Sequence, residues 1–158
     1  MHADPPAKMT IRPARPGEHA MLEHIMRRAS LVSDKYRDQL LAHPEAMSLP
    51  AAQIEGGTVF VAELDGAVAG FCAVVMTGSG EAELDGLFVE PMHWGEGIGR
   101  ALAGHGADAA RKLGAVSITV IAGPETQPFY ETCGFAYQAT AKTLFGPAVL
   151  MRRRLGGR

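Results

Sequence analysis

A glycine-dense turn, with glycine at 95, 97 and 99, separates a strand-like run of residues from a helix-like one. Glycine lacks a Cβ atom, so its backbone can adopt a positive φ and can approach an anion closely. A helix that begins at such a turn adds free N–H groups and the positive end of its dipole. The stretch from Pro91 to Arg100 is therefore predicted to bind the phosphates of a cofactor.

The spacing of these glycines argues against the two common nucleotide-binding motifs. A P-loop requires Gly-Lys followed by Ser or Thr, whereas this chain has Gly99-Arg100-Ala101. A dinucleotide fingerprint requires a third glycine three residues after the second, and Arg100 or Leu102 occupies that place. Neither an ATP site nor a dinucleotide site is predicted.

Two carboxylates, Glu83 and Asp85, form a second feature with possible chemistry. They lie two residues apart in a predicted strand, so on a regular strand both point to one face, opposite Leu84 and Phe88. Paired carboxylates there could accept a proton, or they could be solvated edge residues. A β-bulge between Glu83 and Val89 would change which residues share the face.

The hydrophobic periodicity predicts the element order β, α, α, β, β, β, α, β, α, β, β. An Asp65-Gly66 turn predicts a hairpin, and a right-handed crossover makes the strands on either side of the third helix parallel. Together they predict an α/β domain with a mixed sheet. The predicted strands are 10–12, 58–64, 68–76, 82–89, 116–121, 135–144 and 148–154, and the predicted helices are 21–29, 34–41, 98–113 and 125–132, with a loop or ragged helix end at 46–57.

Length and composition favour one domain, at residues 9–155, between a flexible lead-in at 1–8 and a flexible tail at 156–158. No membrane-length apolar run or signal-like segment is present in the sequence, so we expect a cytoplasmic protein. The net charge of −2 argues against nucleic-acid binding. We interpret the arginines at 152–154 as strand-edge charges, with a ligand contact as the alternative.

The two cysteines, Cys72 and Cys133, are too few for a disulfide framework and lack the spacing of metal ligands. We therefore expect no metal, and we interpret both as core residues. His93, just before the glycine turn, is expected to be an exposed loop residue, with a position near the phosphates as the alternative.

Four segments carry a resemblance to a known family: Leu87-Phe88-Val89-Glu90-Pro91, Trp94 to Arg100, Phe129-Tyr130-Glu131 and Cys133-Gly134-Phe135. Together they resemble the GNAT superfamily of N-acetyltransferases over nearly the whole predicted domain. The family pattern has Gln or Arg, two further residues, and then Gly-x-Gly or Gly-x-Ala. Gly97-Ile98-Gly99 matches its glycine positions, while Trp94 stands where Gln or Arg is usual. Gly123 stands where the family often has Asn.

The resemblance implies a GNAT-like fold, a mostly antiparallel sheet with one parallel βαβ pair splayed around acetyl-CoA and flanked by helices. The N–H groups from Gly95 to Arg100 would hold the pyrophosphate, and the backbone of Leu87 to Val89 would pair with the pantetheine arm. The cofactor-binding residues implied are Leu87, Phe88, Val89, Trp94, Gly95, Glu96, Gly97, Ile98, Gly99, Arg100, Gly123 and Phe129.

The implied reaction is direct attack of an amine on the thioester. Tyr130 would donate a proton to the leaving thiolate, the Val89 N–H would polarise the thioester carbonyl, and Glu83, Asp85 or a water chain would accept the amine proton. Asp34 and Tyr36 are the candidates for binding a small-molecule or peptide amine. A catalytically weak or inactive CoA-binding module is the alternative. The C-terminal hairpin could form a homodimer edge.

Overall fold

The computed structural model describes residues 8–156, so the predictions for 1–7 and for 157–158 lie outside the described residues. This part of the chain contains five α-helices and seven strands, together with short 3-10 turns. The helices are α1 His19–Ser30, α2 Arg37–Ala42, α3 Ala51–Glu55, α4 Ile98–Lys112 and α5 Gln127–Thr132. The strands are β1 Met9–Pro13, β2 Val59–Leu64, β3 Ala67–Gly78, β4 Glu81–Val89, β5 Ser117–Ala122, β6 Ala136–Thr143 and β7 Gly146–Arg154.

The seven strands form one sheet in the order β1-β2-β3-β4-β5-β7-β6. Every neighbouring pair is antiparallel except β4 and β5, which are joined through α4. The predicted fold class, a mostly antiparallel sheet with one parallel βαβ pair and flanking helices, is confirmed. Helix α3 forms within the span that was predicted to be a loop or a ragged helix end.

Helices cover both faces of the sheet and create two hydrophobic cores. On one face, α4 and α5 pack over β4, β5 and β7 through residues such as Leu102, Ile118 and Met151. On the other face, α1 and α3 pack over β2 and β3 through residues such as Leu22 and Phe71. Strand β4 contributes to both cores, so its side chains reach both helical layers.

A β-bulge interrupts β4 at Asp85. Val74 of β3 pairs with Leu84 and the adjacent Ala73 pairs with Gly86, which leaves Asp85 as the extra residue. After the bulge the faces are exchanged. Phe88 packs against Phe71 on the α1 side, with ring centroids 5.5 Å apart. The prediction that Phe88 lies opposite Glu83 and Asp85 is therefore wrong, because the bulge places Phe88 on the same face as the two carboxylates.

Strand β7 lies between β5 and β6, so the interpretation of its arginines as strand-edge charges is wrong. Successive side chains of a strand point to opposite faces. Arg152 reaches Glu81, with Nη2 and Oε1 3.8 Å apart, and Arg153 donates to the Cys133 carbonyl at 3.2 Å.

Within the described residues, no helix is both long and apolar enough to cross a membrane.

Two glycines inside α4 have different packing and give a stability prediction. A Cβ atom at Gly104 would meet no atom within 4 Å, whereas one at Gly106 would lie 3.1 Å from Val74 Cγ2. Because glycine costs about 0.5–1 kcal/mol relative to alanine in a helix, G104A is expected to raise the free energy of unfolding by that amount. G106A should give no gain or a loss, because Val74 is β-branched and stiff.

Urea denaturation of the two variants measures this difference directly. A G106A variant stabilised as much as G104A would show that α4 does not need the close approach to β3.

Candidate active site

Strands β4 and β5 pair over a short length and then separate. Their residue pairs run from Glu81 with Ser117 to Glu83 with Thr119, and β4 then continues to Val89 without β5 beside it. The Glu90 N–H donates to the Ala69 carbonyl of β3 at 2.8 Å. Because backbone groups alternate in direction along a strand, the N–H and C=O groups of Leu87 and Val89 face the gap.

A cavity of about 640 Å³ lies beside this unpaired edge. It brings together most of the residues that the sequence suggested for a cofactor, along with Tyr130. The lining residues are Ala29, Ser30, Leu87, Phe88, Val89, His93, Trp94, Gly95, Gly97, Ile98, Gly99, Arg100, Thr126, Phe129, Tyr130 and Thr132.

The glycine turn has the backbone that the sequence predicted. Gly95 and Gly97 have φ of 83° and 86°, and a Cβ atom at either position would meet nothing within 4 Å. These glycines are therefore required by backbone conformation and not by lack of space. Gly97 precedes α4, and its carbonyl accepts the Ala101 N–H at 3.1 Å. The N–H groups of residues 98–100, which lie between Gly97 and Ala101, have no partner within the helix.

Gly99 serves a different purpose, because it lies in the first turn of α4. A Cβ atom there would stand 3.2 Å from Cζ of Phe129, so glycine allows α5 to pack against the start of α4. Together these contacts place the N-terminus of α4, with its free N–H groups, next to the edge of β4 that has no strand partner, within one cavity. A phosphorylated cofactor with a peptide-like arm fits both features.

Tyr130 is only 8% exposed and packs edge-to-face against Phe129 and Phe135. Burial, with smaller contributions from the neighbouring Cys133 and Cys72 thiols, raises the pKa of Tyr130 to about 12. The phenol therefore keeps its proton at physiological pH and is available as a hydrogen-bond donor. Both cysteines are buried, as expected, and burial raises the pKa of each thiol.

The two carboxylates lie on the other face of β4, outside the cavity lining. Asp85 accepts a hydrogen bond from Gln53 Nε2 of α3 at 3.2 Å. Burial raises the pKa of Glu83, and the charge of the adjacent Asp85 raises it further. The Glu83 carboxylate and the Tyr130 phenol thus lie on opposite faces of the sheet.

The predicted acceptor-binding residues do not reach the cavity. The Asp34 side chain is 95% exposed, and the Tyr36 ring lies 5.2 Å from the Lys35 ammonium. The candidate cofactor residues Glu96 and Gly123 also lie outside the lining. Glu96 Oε1 lies 3.2 Å from His93 Nδ1. The Gly123 carbonyl accepts a hydrogen bond from Thr126 Oγ1 at the start of a 3-10 turn.

Several lining residues were not predicted from the sequence. His93 lines the cavity instead of being a fully exposed loop residue. Ala29 and Ser30, at the end of α1, also line the cavity. A bidentate ion pair joins this end of α1 to Glu90, the residue after β4. Arg28 donates to the two Glu90 oxygens at 2.8 and 2.7 Å. These two residues are 62 positions apart, so no local pattern could indicate the pair.

Comparison with known proteins identifies the family. The profile of the acetyltransferase (GNAT) family matches residues 20–135. The chain therefore belongs to the GNAT family of acetyltransferases.

Solved structures with similar folds agree. The yncA protein of Salmonella typhimurium, solved with acetyl-CoA, is 25% identical, with a TM-score of 0.71 and coverage of 95% of each chain. The paia N-acetyltransferase of Thermoplasma acidophilum, solved with coenzyme A, is 17% identical, with a TM-score of 0.76 and coverage of 93% of this chain and 99% of that one. Ard1 of Thermoplasma volcanium is 19% identical, with a TM-score of 0.73 and coverage of 94% and 99%.

The proximity of the two carboxylates gives a testable titration. D85N removes the neighbouring charge while keeping the side-chain shape, so the pKa of Glu83 should fall. It should stay above the ordinary value, because burial is the larger cause. Carbon-13 NMR titration of the Glu83 carboxyl measures the change. D108N, on exposed α4 surface, is the control and should leave Glu83 unchanged. An unmoved Glu83 titration in D85N would show that the two carboxylates do not interact.

Proposed function

We propose that this protein is an N-acetyltransferase that transfers the acetyl group of acetyl-CoA to an amine by direct attack on the thioester. The observation that carries the proposal is the single cavity that joins the unpaired edge of β4, the glycine turn and Tyr130. Each of the three features suits one part of the cosubstrate. The acetyl-CoA and coenzyme A bound to relatives of the same fold support the assignment.

The chain would hold acetyl-CoA chiefly through backbone groups. The free N–H groups at the start of α4, with Gly95 and Gly97 before them, suit the pyrophosphate. The Leu87 and Val89 edge suits the amides of the pantetheine arm. Apolar Phe129 and Ile98 line the same cavity and exclude water from it. Acetyl-CoA supplies the activated acetyl group, so no metal and no covalent intermediate is required.

The proton acceptor in this proposal is Glu83, directly or through water, with Asp85 as its neighbour. An amine must lose a proton to become acetylated, and a base works best when its pKa is close to the operating pH. The raised pKa of Glu83 moves it in that direction. The acceptor amine would approach from the α1 and α3 side, where both carboxylates lie.

The Val89 N–H, which faces the gap, would stabilise the negative charge that develops on the carbonyl oxygen. Tyr130, on the opposite face from Glu83, would donate to the departing sulfur. Its raised pKa keeps this donor protonated over the whole working range of pH. In this proposal the proton acceptor and the proton donor therefore act from opposite faces of the sheet.

Removal of the phenol hydroxyl tests this reaction. Y130F should lower kcat by roughly 10²-fold, because general-acid catalysis typically contributes 10²–10⁴-fold. The affinity for acetyl-CoA should change little. The measurement is free-thiol release from acetyl-CoA against a panel of amines, with affinity from calorimetry. Y137F is the matched control, because Tyr137 is an exposed tyrosine on β6.

Two outcomes would count against the proposal. A kcat of Y130F within about twofold of the unchanged enzyme would remove Tyr130 from the reaction. Binding of acetyl-CoA without thiol release for any amine would favour the catalytically inactive CoA-binding module.

A further inference from the structure

The side chain of Trp94 connects the glycine turn to the end of β4. Its indole Nε1–H donates to the Val89 carbonyl at 2.8 Å. Backbone bonds tighten the same segment, because His93 N–H donates to the Glu90 carbonyl at 2.8 Å and Trp94 N–H to the Pro91 carbonyl at 3.2 Å. The chain from Val89 to Trp94 is thus closed into a loop by a side chain.

The Val89 carbonyl lies on the unpaired edge of β4, the edge that faces the cavity. Trp94 therefore binds the surface that the proposed function assigns to the pantetheine arm. A carbonyl oxygen has two lone pairs, so this bond leaves one of them for a second donor. The indole does not need to leave for an arm to pair with the edge.

Gly95, the first glycine of the turn, directly follows Trp94. Gly95 and Gly97 both have positive φ, and glycine loses more conformational freedom on ordering than any other residue. Without a fixed point before Gly95, the N–H groups of the turn would vary in position relative to β4. The bond from Trp94 supplies that fixed point.

Packing alone does not explain why the side chain stays in this place. Trp94 is 52% exposed, so much of its ring surface remains in water. The hydrogen bond to Val89 is the specific contact that orients it. Trp94 also lines the cavity together with Gly95, so its orientation affects the shape of the site.

We propose that Trp94 is a positioning residue that fixes the distance between the phosphate-binding turn and the arm-binding edge of β4. This inference rests on the proposed function, in which one cosubstrate spans both sites. The proposal predicts a difference in affinity between whole and partial ligands. A ligand that spans two fixed sites gains from their correct spacing, whereas a fragment that occupies one site does not.

The test compares whole and partial ligands with W94F, which keeps an aromatic ring and removes the donor. The probes are CoA, pantetheine, which lacks the phosphates, and ADP, which has a pyrophosphate without the arm. W94F should weaken CoA binding by about threefold to tenfold, the range expected from loss of one neutral hydrogen bond. Pantetheine and ADP should each change by less than about twofold, because neither spans both sites.

M92A is the control for general disturbance of the turn, because Met92 is 79% exposed and lies outside the cavity lining. It should leave all three affinities unchanged. Hydrogen exchange supplies a second readout without ligand. The N–H groups of His93 and residue 94, which donate to the Glu90 and Pro91 carbonyls, should exchange faster in W94F than in the unchanged protein or in M92A.

Trp94 is the only tryptophan of the chain, which permits a closer variant if W94F does not fold. Expression with a benzothienyl analogue of tryptophan replaces the indole N–H by sulfur at this position alone. The ring shape is kept, and the same loss of CoA affinity is expected.

The outcomes separate the two proposals. If the unchanged protein binds CoA but the donor-lacking variants bind it equally well, the inference about Trp94 is wrong and the proposed function stands. Equal weakening of CoA and of either fragment also overturns the inference, because Trp94 would then contact that half directly. Failure of the unchanged protein to bind CoA overturns the proposed function, and the inference with it.

Discussion

The separation of β5 from β4 after Glu83 is the constraint on which the site depends. Peptide N–H and C=O groups that are removed from water need partners, and the last residues of β4 have a strand partner on one side only. Trp94 satisfies one carbonyl on the other side, at Val89. The other groups of this edge remain available to a molecule with amides of its own. Because β4 leads directly into the glycine turn and α4, the same edge ends beside a helix N-terminus.

The sequence predicted the parts of the fold in which backbone geometry restricts the choice of residue. Gly95 and Gly97 have the positive φ that their type indicated, and Asp65-Gly66 forms the expected hairpin turn between β2 and β3. The sequence could not predict the bulge at Asp85, because one extra residue leaves the hydrophobic composition of β4 unchanged. Nor could it place β7 inside the sheet, since strand order depends on long-range pairing that no local pattern encodes.

The site was predictable to different extents in its two halves. The proposed cosubstrate half uses glycines and a strand end, which leave a mark in the sequence. The α1 wall uses Ala29 and Ser30, small residues without a distinctive pattern, held in place by an ion pair across distant parts of the chain. Asp34 and Tyr36 were suggested because the first two helices commonly line the acceptor site in this family, and both residues lie outside the cavity lining. Acceptor specificity in a shared fold depends on such local details.

The two buried thiols around Tyr130 have a consequence for reactivity. Only the thiolate is nucleophilic, and burial raises the pKa of both Cys72 and Cys133, with Cys72 at about 12. In the native state they should therefore react slowly with disulfide reagents or alkylating agents. Cys72 Sγ contacts the Leu102 carbonyl of α4 at 3.5 Å, and Cys133 follows the last residue of α5. Because these helices would have to move before the sulfurs met solvent, the rate of labelling reports how often this side of the molecule opens. The protein thus contains its own chemical probe of local unfolding, next to the tyrosine on which the proposed reaction depends.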